Sequence, residues 1–136
     1  MGINHSSRTE VYVHLVWATW DRQPFLTKHV KPRVFNCIRA ECAQMKADVV
    51  ALGGVEDHMH ALVRLPATQS ISSLVKQVKG ASSHLVNHTC EDTFKWQGGY
   101  AAFSVSRRHL ASVRDYVLHQ EERHRSGILV AEFETG

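Results

Sequence analysis

Glu56-Asp57-His58-Met59-His60-Ala61-Leu62-Val63-Arg64-Leu65 is a short apolar run carrying two histidines one residue apart. Its alternation and β-branched content predict a strand, with Glu56-Asp57 as the turn before it. On a strand, side chains two apart share a face and lie roughly 6.5 Å apart along it. His58 and His60 therefore converge on one side, while Met59, Ala61 and Val63 line the other. Two imidazoles at this spacing can reach one divalent metal at about 2.1 Å when each ring's other nitrogen is held by an acceptor. Two partly buried histidines with ordinary hydrogen bonds give the same pattern, so the run alone leaves both readings open.

The surrounding chain predicts an α+β fold. Val11 to Trp20 is β-branched and aromatic, and alternation puts Val11, Val13, Leu15 and Trp17 on one face. Tyr12, His14 and Val16 take the other, and His14 stays unassigned between a site residue and a half-buried strand histidine. Asp21-Arg22-Gln23-Pro24 breaks this strand. Thr27 is an expected N-cap, Pro32 fits the first helical turn, and Val30, Val34, Ile38, Cys42 and Met45 recur at helical spacing. Asp48 to Val55 is a second strand, where Gly53-Gly54 permits a bulge or a close backbone approach.

After the His58 strand, Ser70 is a good N-cap for a helix whose stripe is Ile71, Leu74, Val75, Val78, Ser82, Leu85 and Val86. Ser72, Lys76, Lys79 and Ser83 lie on another face, a row suited to phosphates or simply solvated. Tyr100 to Ser106 is a fourth strand, and a third helix is expected from about Arg107 to Arg125. The first six elements make the βαββαβ order of a ferredoxin-like sandwich with an antiparallel sheet. Two helices would cover one sheet face, leaving the histidine face open to a substrate. In the last helix Leu110, Val113 and Val117 form the apolar stripe, and Tyr116 falls off it, in line with Gln120 four residues on.

Composition narrows the class. The 136 residues, 43% hydrophobic and 21% charged, suit one soluble domain, with a core of about 10–125 and a tail at 126–136. A formal charge of +3 permits a nucleic-acid partner without requiring one. Three cysteines, Cys37, Cys42 and Cys90, include no Cys-x-x-Cys pair and suggest neither a disulfide framework nor a thiolate zinc site. No stretch has the length of a membrane span or a signal peptide, so a cytoplasmic location is expected.

Taken in order, the His58-Met59-His60 strand, Tyr116 with Gln120 on a last helix, and the small βαββαβ size resemble the single-tyrosine HUH transposases of bacterial insertion sequences and their REP-associated relatives. Gly53-Gly54-Val55-Glu56-Asp57, Val75-Lys76-Gln77-Val78-Lys79-Gly80 and Trp96-Gln97-Gly98-Gly99-Tyr100 extend the resemblance. It implies that His58, His60 and Gln120 ligate a metal and that Tyr116 is the nucleophile. It further implies cleavage and rejoining of single-stranded DNA through a 5′-phosphotyrosine, hairpin recognition at element ends, and a homodimer. Lys76, Lys79, Arg107, Arg108 and Arg114 are candidates for DNA-backbone contact.

The implied chemistry explains the residue types. A free tyrosine has a pKa of about 10, leaving about one molecule in a thousand ionised at neutral pH. A Mg²⁺ or Mn²⁺ ion would help both phenolate and phosphate, and mixed imidazole and amide ligation should suit manganese at least as well. Strand transfer conserves the phosphoester, so no nucleotide cofactor is expected. The rivals are a non-catalytic ferredoxin-like nucleic-acid-binding module and a His-x-His metal hydrolase that uses water.

Overall fold

In the computed structural model, residues 7–90 and 93–120 are described. The elements run β1 (Val11–Ala18), a 3₁₀ turn (Trp20–Arg22), α1 (Lys31–Gln44), β2 (Asp48–Val55), β3 (His58–Leu65), α2 (Ile71–Thr89), β4 (Ala101–Val105), a second 3₁₀ turn (Arg107–His109) and α3 (Leu110–Leu118). The strands form one sheet in the order β2-β3-β1-β4, every neighbouring pair antiparallel. This is the expected βαββαβ sandwich plus a C-terminal helix.

Alternation divides the sheet into two faces with different duties. Val13, Leu15 and Trp17 of β1 and Met59, Ala61 and Val63 of β3 pack in one cluster with Val34, Ile38 and Cys42 of α1 and Leu74, Val75, Val78 and Val86 of α2. Burial pushes the Cys42 thiol up to about 11, with the Glu41 charge adding to the effect, so this sulfur acts as a core hydrophobe. A smaller cluster on the opposite face joins Ala51, Leu62 and Val105 of the sheet to Val113 and Val117 of α3. Fully burying a valine side chain stabilises by roughly 1.5–3 kcal/mol, so these two residues contribute part of what holds the short helix down.

That second cluster corrects one expectation: the histidine face is covered by α3. The apolar stripe of α3 is also wider than the sequence suggests, because Tyr116 and Gln120 are buried along with Val113 and Val117. Several boundaries shift as well. β1 ends at Ala18; Thr19 forms an isolated bridge with Trp96, its N–H donates to Asp57 O, and its hydroxyl donates to Gln23 O at 2.6 Å with Asp57 O further off at 3.1 Å. Thr27 caps a turn one step before α1, accepting from Val30 N–H, and the helix proper starts at Lys31. Ser70 caps α2 as expected, accepting from Ser73 N–H. A 3₁₀ turn precedes α3, and the expected extension of that helix to Arg125 lies partly outside the described residues, as does the tail.

Lys79 has a defined structural partner. Its ammonium donates to Gln97 O at 2.6 Å and Gly99 O at 2.9 Å, tying the approach to β4 onto α2, and burial lowers its pKa. Because both carbonyls would lose a charged donor, Lys79→Ala is expected to reduce unfolding free energy by about 1–2 kcal/mol. Lys76→Ala, at an exposed position without such bonds, should stay within about 0.5 kcal/mol. Urea denaturation of the two variants measures the contrast.

Candidate active site

The site begins with strand register. In β3 His60 stands opposite Val16 of β1 and Gly53 of β2, and His58 stands opposite Ala18 and Val55. His14, two residues along β1 from Val16, joins the same face. The three imidazoles therefore share the surface beneath α3, with His58 and His60 centroids 5.1 Å apart and His14 stacked on His60 at 5.1 Å.

Close approach of α3 depends on Gly53. A Cβ built there would lie 1.7 Å from Val117 O and 3.4 Å from Gln120 Cγ. The missing side chain lets the helix backbone rest on the strand beside His60. Tyr116 consequently meets the histidines edge-on, its ring 5.7 Å from His60 at 81° and 6.1 Å from His14 at 78°. Of the expected alternatives at Gly53-Gly54, close approach is the one seen at Gly53; the ladder's irregularity sits earlier, between Val49 and Ala51.

All five polar side chains of this cluster are secluded: His14 and His60 are 0% exposed, His58 and Gln120 1%, and Tyr116 3%. Seclusion makes the hydrogen-bond pattern informative. His58 Nδ1 meets Asp57 Oδ1 at 2.8 Å, and the other Asp57 oxygen lies 3.4 Å from Arg22 Nε. His60 Nδ1 meets His14 Nε2 at 2.9 Å. In both rings of the His-x-His pair, then, Nδ1 is the nitrogen engaged by these neighbours, and Nε2 is the other, buried nitrogen. Gln120 donates through Nε2 to Tyr116 O at 2.8 Å, which leaves its carbonyl Oε1 buried without a hydrogen-bond partner among the described residues.

Among the described residues no group of three or more His, Cys, Asp or Glu is arranged to hold a metal. The secluded Gln120 carbonyl is a further oxygen donor on the same face as the two histidines. Two neutral imidazoles with held Nδ1 atoms and one amide oxygen fit a divalent cation.

Periodicity pairs His58 with His60 and Tyr116 with Gln120, and only the family resemblance joins the two pairs; the structure places all four on one face of the sheet, with Asp57 against His58 and Arg22 against Asp57, two residues that neither signal pointed to. Asp57 looked like a turn residue only; an acid directly preceding the first histidine was the available signal. Arg22 reaches it because Asp21 and Arg22 adopt positive φ (53° and 52°), uncommon for residues other than glycine. The basic DNA candidates are more dispersed. Lys76, Arg107, Arg108 and Arg114 are exposed, and Arg107 lies 3.3 Å from Glu10.

The four-stranded antiparallel sheet thus carries two helices on one face and, on the other, two histidines beneath a helix bearing a tyrosine. The sequence matches the family described as "Transposase IS200 like" over residues 7–120, and the chain belongs to that family. Transposases for insertion sequence element IS200 from Salmonella typhimurium and Salmonella typhi are each 27% identical over 121 residues, covering 84% of this chain and 79% of theirs. In fold the chain is similar to a Deinococcus radiodurans R1 protein provisionally described as a transposase, at TM-score 0.68 and 24% identity over 86% of this chain and 95% of that one. It is also similar to a REP-associated tyrosine transposase solved with a REP hairpin, at TM-score 0.66 and 15% identity over 93% of this chain and 76% of that one. No helix among the described residues is long and apolar enough to cross a membrane.

Proposed function

We propose that this transposase cleaves and rejoins single-stranded DNA at the ends of an insertion sequence, with Tyr116 as nucleophile. His58, His60 and Gln120 would hold a Mg²⁺ or Mn²⁺ ion, whose chemistry there is to polarise the scissile phosphate and favour in-line attack. The observation that carries this reading is the edge-on packing of Tyr116 against His60, one helical turn from the buried carbonyl of Gln120. A phenol, two ligating imidazoles and an amide oxygen then border one small volume.

The reaction balances without a further reagent. The Tyr116 phenol loses its proton and its oxygen bonds to phosphorus, the bond from phosphorus to the 3′ oxygen breaks, and that oxygen leaves as a 3′-hydroxyl after taking a proton. An incoming 3′-hydroxyl reverses the step on a new strand, so the phosphodiester count is preserved and no nucleotide cofactor is used. Asp57 and Arg22 orient His58, and the Gln120 bond to Tyr116 O keeps the amide oxygen facing the site. Tyr116 is only 3% exposed, so a scissile phosphate must displace part of what covers its ring. A flexible single strand suits such a site better than a duplex, and the neighbour solved with a REP hairpin supports hairpins at the ends as the recognised element. With one nucleophile per chain and two ends to process, a homodimer is the working unit, acting in the cytoplasm where the DNA lies. Lys76, Lys79, Arg107, Arg108 and Arg114 are the proposed backbone contacts.

Oligonucleotides drawn from both flanks of its own reading frame provide the substrate for a test. With Mn²⁺, wild type should form an adduct that survives denaturing electrophoresis, and EDTA should abolish it. His60→Ala should cut cleavage by at least about 100-fold, as loss of a ligand does, while gel-shift affinity for the same hairpin DNA is retained. Binding without cleavage by wild type, with either metal, would favour the non-catalytic module.

A further inference from the structure

We propose that His14 is a positioning residue that sets the ring orientation and tautomer of His60 for metal binding, an inference that rests on the function proposed above. The two histidines of the His-x-His pair are held by different kinds of acceptor. His58 relies on Asp57, which stands at the edge of the site, about one-third exposed and close to the Arg22 guanidinium. His60 lies deeper, and the group at its Nδ1 is the Nε2 of a second imidazole that is itself 0% exposed.

Depth explains the choice. A carboxylate at the position of His14 would be an ion inside a cluster of rings, where an unpaired charge is costly. A neutral imidazole supplies an acceptor without that penalty. For His60 Nε2 to offer a lone pair to a cation, the proton of the neutral ring must sit on Nδ1 and be donated; His14 Nε2 accepts it, which in turn places the His14 proton on its own Nδ1. The same contact fixes the ring plane, since His14 and His60 stack at 24°.

His14 is itself anchored in the sheet, opposite Leu62 of β3 and Phe103 of β4, and its ring packs 6.1 Å from those of Phe103 and Tyr116. It thus touches the ring of a proposed ligand and the ring of the proposed nucleophile while holding neither metal nor phosphate. Its place at the centre of β1, the inner strand next to β3, gives it less freedom than any loop acceptor would have.

Mn²⁺ titration of the full chain, followed by electron paramagnetic resonance, tests this with His14→Phe and His14→Gln. Phenylalanine keeps the ring stack and removes the acceptor; affinity should fall 10- to 100-fold, roughly the loss that follows removal of a group orienting a metal-bound histidine. Glutamine can place an amide oxygen near the Nε2 position and should recover affinity to within about threefold of wild type. In the metal-free protein, ¹⁵N spectra of labelled histidine should show His60 as one tautomer protonated at Nδ1 in wild type and as a mixture in His14→Phe. Equal Mn²⁺ affinity in wild type and His14→Phe would overturn the inference and leave the proposed function standing; a wild type that binds no Mn²⁺ would remove both. Should His14→Phe fail to fold, the wild-type spectrum decides, because His60 protonated at Nε2 contradicts the proposal.

Discussion

Tyr116→Phe should abolish the covalent protein–DNA adduct and lower strand cleavage by about a thousandfold or more, since removal of a nucleophile leaves only binding and electrostatic contributions to catalysis. The substitution deletes one oxygen. The ring remains, so its edge contacts with His14 and His60 are kept, and the Gln120 bond is unaffected because it runs to the backbone oxygen of residue 116. Thermal unfolding should therefore shift little, by the equivalent of about 1 kcal/mol or less, and affinity for hairpin DNA should match wild type. Denaturing gels and mass spectrometry of the Mn²⁺ reaction measure the adduct. A Tyr116→Phe protein that still cleaves at the wild-type rate would transfer the chemistry to water and make the His-x-His hydrolase the correct reading.

How much of this was legible before any coordinates depends on which residues carry local signals. The strand period of residues 58–65 put His58 and His60 on one face and Met59, Ala61 and Val63 on the other, and the structure divides them the same way. The α2 stripe and the Ser70 cap were equally local. What escaped was the far side of the sheet. Tyr116 looked misplaced beside polar neighbours because the helical stripe was judged on Leu110, Val113 and Val117 alone, whereas the surface it meets is built of imidazoles, which accept a phenol and an amide as readily as a valine. His14 could not be assigned because its partner, His60, is 46 positions away and fixed only by the β1–β3 register. Arg22 depended on two consecutive left-handed residues, a conformation that aspartate tolerates but that nothing favours for the arginine itself.

Gly53 provides the second large effect, and it bears on how the helix is seated. In Gly53→Ala the new methyl would fall 1.7 Å from Val117 O, a backbone atom that no rotamer change can move. Carbon and oxygen sit comfortably only beyond about 3 Å, so α3 must retreat by more than about 1 Å, and Tyr116 and Gln120 must go with it. A misplacement of about that size can cost 100-fold in rate, and cleavage should fall at least that far. The main core should survive, because the cluster between the sheet and α1 and α2 contains no α3 residue; the loss of stability is expected to be about 1–3 kcal/mol, the usual result of overpacking. Gly80→Ala is the matched control. Nothing lies within 4 Å of a Cβ at that position in the middle of α2, and alanine there should stabilise the chain by up to about 1 kcal/mol with cleavage unchanged. Because the seat of α3 also hides Tyr116, the direction of the Gly53→Ala effect separates two roles for it. Loss of cleavage and of Mn²⁺ affinity together means that the helix reacts from the position it occupies over Gly53. Cleavage equal to or faster than wild type means that this position is a resting one, and that the reacting tyrosine works from elsewhere on the surface of this chain or of a second copy.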